Sequence, residues 1–247
     1  NSNRLGKKLW TECNEGECIE VYEAYNEQEE ANYVAENVHK IFSGGDYYKD
    51  IAVLYRSNAQ SRTIEEYLLR QNLPYVIYGG VRFYERLEIK NVLAYLRLIV
   101  NRNDNAAFER SIGAPTRGIG EKTLEQIRAY SQKNDLSLFQ SCKGLVKDGG
   151  LKGKAAKSLD SFCDFIETCA EIIHELPSDE FVEKVINQSG LIDHHMKEKG
   201  EKGRIRIENI NELISAVKSF EIINKNEDLS EYDSFIAAFL SSVSLDM

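Results

Sequence analysis

The stretch LEIKNVLAYLRLIV, Leu87–Val100, marks the point at which the pattern of this chain changes. Its apolar residues recur at helical spacing on two faces, which predicts a buried helix that connects two parts of the chain. Before it, segments with strand spacing alternate with helices. After it, the apolar spacing is helical to the end of the sequence. The stretch therefore separates a predicted α/β part from a predicted all-α part.

The part before this helix has the pattern of a parallel sheet covered by helices. Apolar residues alternate over 18–24, and short apolar runs at 51–55 and 74–78 are typical of buried strands. Helices are predicted between them, over 27–43 and 61–71. The order strand, helix, strand, helix, strand predicts an α/β domain. Three strands are too few for a finished domain of that type.

Beyond residue 100 the apolar spacing predicts only helices. They are expected at 104–112, 121–133, 136–144, 154–174, 178–188, 204–224 and 231–243. Exposed loops are expected at 149–150 and 197–203.

A glycine-flanked turn in this helical part is the strongest candidate for a binding element. Gly118-Ile119-Gly120 runs directly into a predicted helix, so that free backbone N–H groups and a helix N-terminus point outward together. Arg117 before the turn and Lys122 after it indicate phosphate as the anion. The same pattern fits a glycine cap between two packed helices, and the spacing alone leaves both interpretations open.

Charge is unevenly distributed over the 247 residues, whose formal net charge is −9. Residues 81–133 hold 10 basic and 6 acidic side chains, a local charge of +4, and both flanking regions are acidic. A basic strip on an acidic body would attract a polyanion and limit non-specific binding. A solvated helix face would look the same.

Several classes of site are not supported by the sequence. The five cysteines lack the spacing of a zinc site, and no metal site is predicted. Residues 149–155 lack the spacing and hydroxyl of a P-loop. Asp179-Glu180 lies at a predicted helix start and not after an apolar strand, where an Asp-Glu pair would hold Mg²⁺. His194-His195 is interpreted as a solvated pair. No catalytic residue is predicted.

No apolar run is long enough to cross a membrane, and no signal peptide is evident. The cysteine usage predicts a cytoplasmic protein with reduced thiols.

Five ordered segments carry a resemblance to a known family. They are 3–11, 51–62, 78–90, 107–120 and 206–213. In these segments the chain resembles the UvrD/PcrA/Rep family of superfamily 1 DNA helicases.

The resemblance implies that residues 1–92 are part of a RecA-like domain, called 2A, and that residues 93–247 are a helical domain, called 2B, with a turn like that of helix-hairpin-helix proteins. It further implies a fragment of an ATP-dependent 3′-to-5′ DNA helicase acting in repair or replication. The ATPase motifs, and with them the ATP and Mg²⁺ of the parent enzyme, would lie outside the fragment. The fragment would be inactive alone and would hold no cofactor. Its partners would be DNA, the missing RecA-like domains and possible repair proteins.

The resemblance also implies a set of DNA contacts. The turn would hold duplex backbone near the single-strand junction through six residues: Thr116, Arg117, Gly118, Ile119, Gly120 and Lys122. Such contacts position a protein without reading sequence. A regulatory or protein-interaction role, with little DNA binding in isolation, is the alternative.

Two further groups are candidates for contact with single-stranded DNA. Arg56, Asn58 and Arg62 follow a predicted strand end, where hydrogen bonding at the sheet edge and between domains is a nearly equal alternative.

In the second group, Arg82, Phe83 and Arg86 would form a stacking and phosphate-binding loop. Alternatively, Phe83 fills the core and the arginines pair with Glu85 and Glu88.

Overall fold

The computed structural model describes residues 16, 18–56, 60–77, 81–227, 229 and 231–245. Within these residues the chain forms eleven α-helices and two short 3-10 turns, Tyr48–Asp50 and Phe83–Glu85. The helices are α1 (Glu27–Ser43), α2 (Ser61–Arg70), α3 (Leu87–Val100), α4 (Asn105–Gly113), α5 (Glu121–Asn134), α6 (Leu138–Lys147), α7 (Gly153–Glu171), α8 (Ser178–Ser189), α9 (Leu191–Met196), α10 (Glu201–Ile223) and α11 (Phe235–Leu245).

The predicted parallel sheet is wrong, and with it the α/β class of the first part. No strand occurs among the described residues, which form an all-helical structure. The side chains of Ile19, Leu54 and Val76, expected inside a sheet, are 93%, 94% and 78% exposed. A strand is stable only when a neighbour satisfies its backbone N–H and C=O groups, and local apolar spacing cannot specify that neighbour.

Helix α3 forms the centre of the main core, as its two apolar faces predict. Ten of its 14 residues are buried. It packs against α4, α7, α8, α10 and α11. The predicted domain boundary between residues 92 and 93 falls inside this helix and stays a prediction.

A smaller hydrophobic cluster joins α1 to α2. It consists of Ala35, Val38, Leu68 and Leu73. This cluster and the main core contain separate sets of buried side chains.

Local signals account for several helix starts. Asn26 accepts a hydrogen bond from the Glu29 backbone N–H at the start of α1. Ser137 and Gln140 form a capping box at the start of α6. Asp179 lies in the first turn of α8, as predicted, and pairs with Lys218 at 2.9 Å.

Two predictions about the region before α10 are wrong. The segment 197–203 is not a loop throughout, because α10 begins at Glu201 and Gly203 is buried. His195 is not solvated: it lies in α9 and is 1% exposed. Among the described helices, none has the combination of length and hydropathy that a membrane crossing requires.

Candidate nucleic-acid interface

The glycine-flanked turn connects α4 to α5 at the molecular surface. Gly118 has a φ of +72°, a backbone conformation that residues with a Cβ rarely adopt. Gly120 is the N-cap of α5 and provides no side-chain cap for the first turn of that helix. Both glycines are exposed, whereas the Ile119 side chain packs partly against the main core. The turn is thus anchored by its central residue and open at both glycines.

Three backbone donors in this turn have no acceptor among the described residues. The N–H groups of Gly118, Ile119 and Gly120 donate no hydrogen bond to any described residue. The first turn of α5 follows immediately, so these donors add to the positive end of the helix dipole. The arrangement provides hydrogen-bond donors for an anion.

Charges around the turn favour an anion as well. Glu121, the one acidic residue in the first turn of α5, pairs with Arg128 at 2.6 Å. Arg128 also pairs with Glu109 at 2.7 Å. Lys122 is exposed and has no carboxylate within 4.0 Å among the described residues. Its ammonium group is therefore available to an external anion.

Arg117 points inward, away from the exposed face of the turn. Its Nη1 donates to the carbonyl oxygens of Ser111 and Pro115, both at 2.9 Å. Its Nη2 donates to the Ser189 carbonyl oxygen at 3.1 Å and to the Tyr95 hydroxyl. The guanidinium therefore joins the end of α4, the turn and the end of α8.

Tyr95 completes this anchor from the middle of α3. Its hydroxyl oxygen lies 2.9 Å from the Ser111 carbonyl oxygen and 2.7 Å from the Ala114 carbonyl oxygen, and its single proton is shared between the two. Burial raises the pKa of Tyr95 to about 12, although Arg117 opposes the shift. Sequence reasoning missed Tyr95 and Ser189 because they lie 22 and 72 residues from Arg117.

The structure places Arg62 in a separate, buried polar environment. Arg62 is 6% exposed and pairs with Glu66 at 2.7 Å and with Glu212 at 2.5 Å. Burial lowers its pKa, but these two carboxylates more than offset that effect and hold the pKa above its ordinary value. Arg62 thus links α2 to α10.

Arg86 is also buried, at 7% exposure. It donates to the Asn209 side-chain oxygen at 2.9 Å and to the Ser61 hydroxyl at 2.8 Å. Asn209 in turn donates to Glu88 at 2.6 Å, so Arg86 is connected to Glu88 through an amide. Burial lowers the pKa of Arg86.

The remaining candidates differ in exposure. Phe83 is 1% exposed and belongs to the main core. Arg82 is exposed and lies over the Tyr75 ring, at 5.6 Å from its centroid. Arg56 is exposed, and its backbone N–H donates to Gln60. Asn58 lies outside the described residues.

One group of described side chains has the composition of a metal site: His194, His195 and Glu198. The Nδ1 of His195 lies 2.8 Å from Glu198 Oε1, and Arg206 donates to the same oxygen at 2.5 Å. The bond to His195, together with Arg206, lowers the pKa of Glu198. Because Glu198 Oε1 already pairs with both His195 and Arg206, the arrangement fits an ion-pair network.

Comparison with known proteins covers the whole chain. Residues 1–247 match the family model described as the UvrD-like helicase C-terminal domain. The chain is 46% identical over 246 residues to DNA helicase II of Escherichia coli (strain K12), covering 100% of this chain and 34% of that protein. It is 42% identical over 246 residues to the ATP-dependent DNA helicase PcrA of Bacillus subtilis (strain 168), covering 99% of this chain and 32% of that protein.

The chain therefore spans about a third of the length of the curated relatives it matches. The resemblance that five sequence segments indicated is confirmed, and it extends over the full chain. This chain belongs to the family of the UvrD-like helicase C-terminal domain.

Proposed function

We propose that this chain is a DNA-contacting part of an ATP-dependent DNA helicase, and that the turn Gly118–Gly120 holds DNA backbone near the junction of single strand and duplex. The names of the relatives, DNA helicase II and PcrA, support the helicase assignment. ATP and Mg²⁺ act elsewhere in the parent enzyme. The observation that carries the DNA contact is the row of three N–H groups without an acceptor among the described residues, directly before α5.

Phosphate is the ligand that suits this turn. Backbone N–H groups at a helix N-terminus donate to phosphate oxygens, and the helix dipole favours the negative charge. Lys122 adds an exposed ammonium group, and Thr116 is exposed beside the turn. These groups recognise the backbone, which every DNA sequence shares, so binding is independent of sequence.

The arginines of the candidate set have two roles in this proposal. Arg117 positions the turn through its bonds to carbonyl groups. Arg62 and Arg86 hold α2 and α3 against α10. Arg56 and Arg82 are exposed and are the candidates for contact with single-stranded DNA.

Fluorescence anisotropy of the full 247-residue chain with a duplex carrying a 3′ single-stranded tail tests the proposal. The variant Lys122→Ala removes the exposed charge at the start of α5. Lys133→Ala is a matched control, because it removes the same charge from an exposed site in the last turn of α5. The two sites are roughly 16 Å apart along the helix axis, at 1.5 Å per residue.

We expect the unaltered chain to bind with an affinity that falls as salt rises, by a log–log slope of about −0.9 for each phosphate contact. Lys122→Ala should lower the magnitude of the slope by about 0.9, the value of one phosphate contact, and should weaken binding several-fold. Lys133→Ala should change neither the slope nor the affinity. If the unaltered chain shows no salt-dependent binding at micromolar concentration, the DNA contact is wrong, and the regulatory or protein-interaction role takes its place.

A further inference from the structure

A groove of about 410 Å³ lies beside the turn, between the first half of α7 and the end of α8. Cations, hydroxyl groups and an amide line it, and two aromatic rings form its apolar side. The lining residues are Arg117, Lys154, Lys157, Ser158, Ser161, Phe162, Phe165, Gln188 and Ser189. Arg117, which directly precedes Gly118 in the chain, is one of these residues, so the groove lies next to the turn.

Positive charge enters the groove from α7. Lys154 and Lys157 are exposed, and neither has a carboxylate within 4.0 Å among the described residues. Ser158 and Ser161 follow at helical spacing, so the lysines and hydroxyls occupy one side of α7. None of these four residues belongs to a site that the sequence predicts.

Two acidic residues of α7, Asp164 and Glu167, act on a different neighbour. Glu167 pairs with Lys143 of α6 at 2.6 Å. Asp164 also acts electrostatically on Lys143, raising its pKa after the larger effect of the Glu167 hydrogen bond. Glu167 and Asp164 of α7 thus act on Lys143 of α6, whereas Lys154 and Lys157 line the groove. No carboxylate lines the groove among the described residues.

The end of α8 would make the groove less positive if its carbonyl groups were free, because a helix C-terminus carries partial negative charge. Arg117 Nη2 donates to the Ser189 carbonyl oxygen and so counters that charge. The guanidinium carbon also lies 5.0 Å from the centre of the Phe162 ring, which holds it against the groove wall. The ammonium groups of α7 consequently face the groove without an opposing charge.

We propose that this groove is a second phosphodiester-binding site, which takes the DNA backbone that leaves the turn and extends the contact along one strand. Lys154 and Lys157 provide the charge, and the hydroxyls and the Gln188 amide provide donors for phosphate oxygens. This inference rests on the proposed function, because the turn sets where the backbone enters. It assigns DNA contacts to α7 and α8. None of the DNA-contacting residues named under the proposed function lies in these two helices.

Anisotropy with the same tailed duplex tests the groove through the double variant Lys154→Ala/Lys157→Ala. Lys133→Ala/Lys225→Ala is the matched control, because it removes two exposed charges outside the groove. Thermal unfolding of both variants verifies that they are folded. Competition by poly-glutamate, at equal charge concentration, separates phosphate recognition from attraction to any polyanion.

We expect the groove variant to reduce the log–log salt slope by about 1 to 2 and to weaken binding about tenfold at 0.1 M salt, because each lost phosphate contact accounts for about 0.9 of slope. The control should stay within about twofold of the unaltered chain, and poly-glutamate should compete poorly.

The two proposals fail in distinguishable ways. If Lys122→Ala weakens binding and the groove variant behaves as its control, the groove is wrong and the turn stands. If poly-glutamate competes as well as DNA, and does so only when Lys154 and Lys157 are present, the groove binds acidic peptide instead of phosphate. Absence of DNA binding by the unaltered chain overturns both proposals.

Discussion

Replacement of Arg117 by alanine tests whether this side chain holds the turn in place. The substitution removes hydrogen bonds to the carbonyl oxygens of Ser111, Pro115 and Ser189, at 2.9, 2.9 and 3.1 Å. It also removes the bond to the Tyr95 hydroxyl and the contact with two aromatic rings. The ends of α4 and α8 then lose the cation that satisfies them.

The expected loss is about 3 kcal/mol of unfolding free energy. A hydrogen bond from a charged donor contributes about 1.5–3 kcal/mol, but bonds to one guanidinium are not additive. Arg117 is half-buried, and water replaces part of what is lost. Arg117→Lys should recover little of the loss, because one ammonium group cannot reproduce the planar fork that reaches α4 and α8 together.

Urea unfolding followed by circular dichroism measures the effect. A loss of about 3 kcal/mol lowers the midpoint by roughly 1 M when the slope is near the upper end of 1–3 kcal/mol/M. Arg110→Ala is the matched control, because this exposed arginine makes one side-chain hydrogen bond, to Asn91 at 3.1 Å. The control should lose no more than about 1 kcal/mol. Equal midpoints for the Arg117 and Arg110 variants would refute the anchoring role.

Two further predictions concern packing and pH. Gly203→Ala should lower the unfolding free energy by about 2–3 kcal/mol, because the new Cβ would stand 2.2 Å from the His195 carbonyl oxygen. Gly113→Ala is the control and should be neutral or stabilising, because a Cβ at this position meets nothing within 4 Å. The urea midpoints of the two variants are compared. A Gly203 variant as stable as the control would contradict the predicted clash. Burial raises the pKa of Tyr95 from 10.0 to about 12, so its contribution to stability is complete below pH 10 and is lost as pH rises toward 12. Tyr95→Phe should therefore show a shallower fall in unfolding free energy between pH 10 and 12, and parallel curves for the two proteins would count against this assignment.

The helices could be predicted because their signals are local. Helix α3 begins and ends at the predicted residues, since apolar spacing on two faces reports burial directly. Helix α9 was missed because its six residues, which follow a glycine, are too few to show helical periodicity. The strands were wrong for the opposite reason: a strand depends on a partner elsewhere in the chain.

In the candidate site, too, the local features could be predicted and the long-range contacts could not. The turn was predicted from Gly118 and Gly120, because a positive φ and an uncapped helix start are properties of a few adjacent residues. Whether an arginine faces solvent or a carbonyl group depends on residues far away. Glu212, which pairs with Arg62, is 150 residues distant in the sequence.

By itself, the sequence determined the helical part of the chain, the turn that opens α5 and the membership of a helicase family. Each follows from short-range periodicity, from glycine geometry or from ordered motifs. Only the tertiary structure decided that Arg117 points inward, that Phe83 fills the core, and that Lys154 and Lys157 line a groove beside the turn. Those outcomes depend on which helices pack together, and burial and hydrogen bonding between distant residues set that packing.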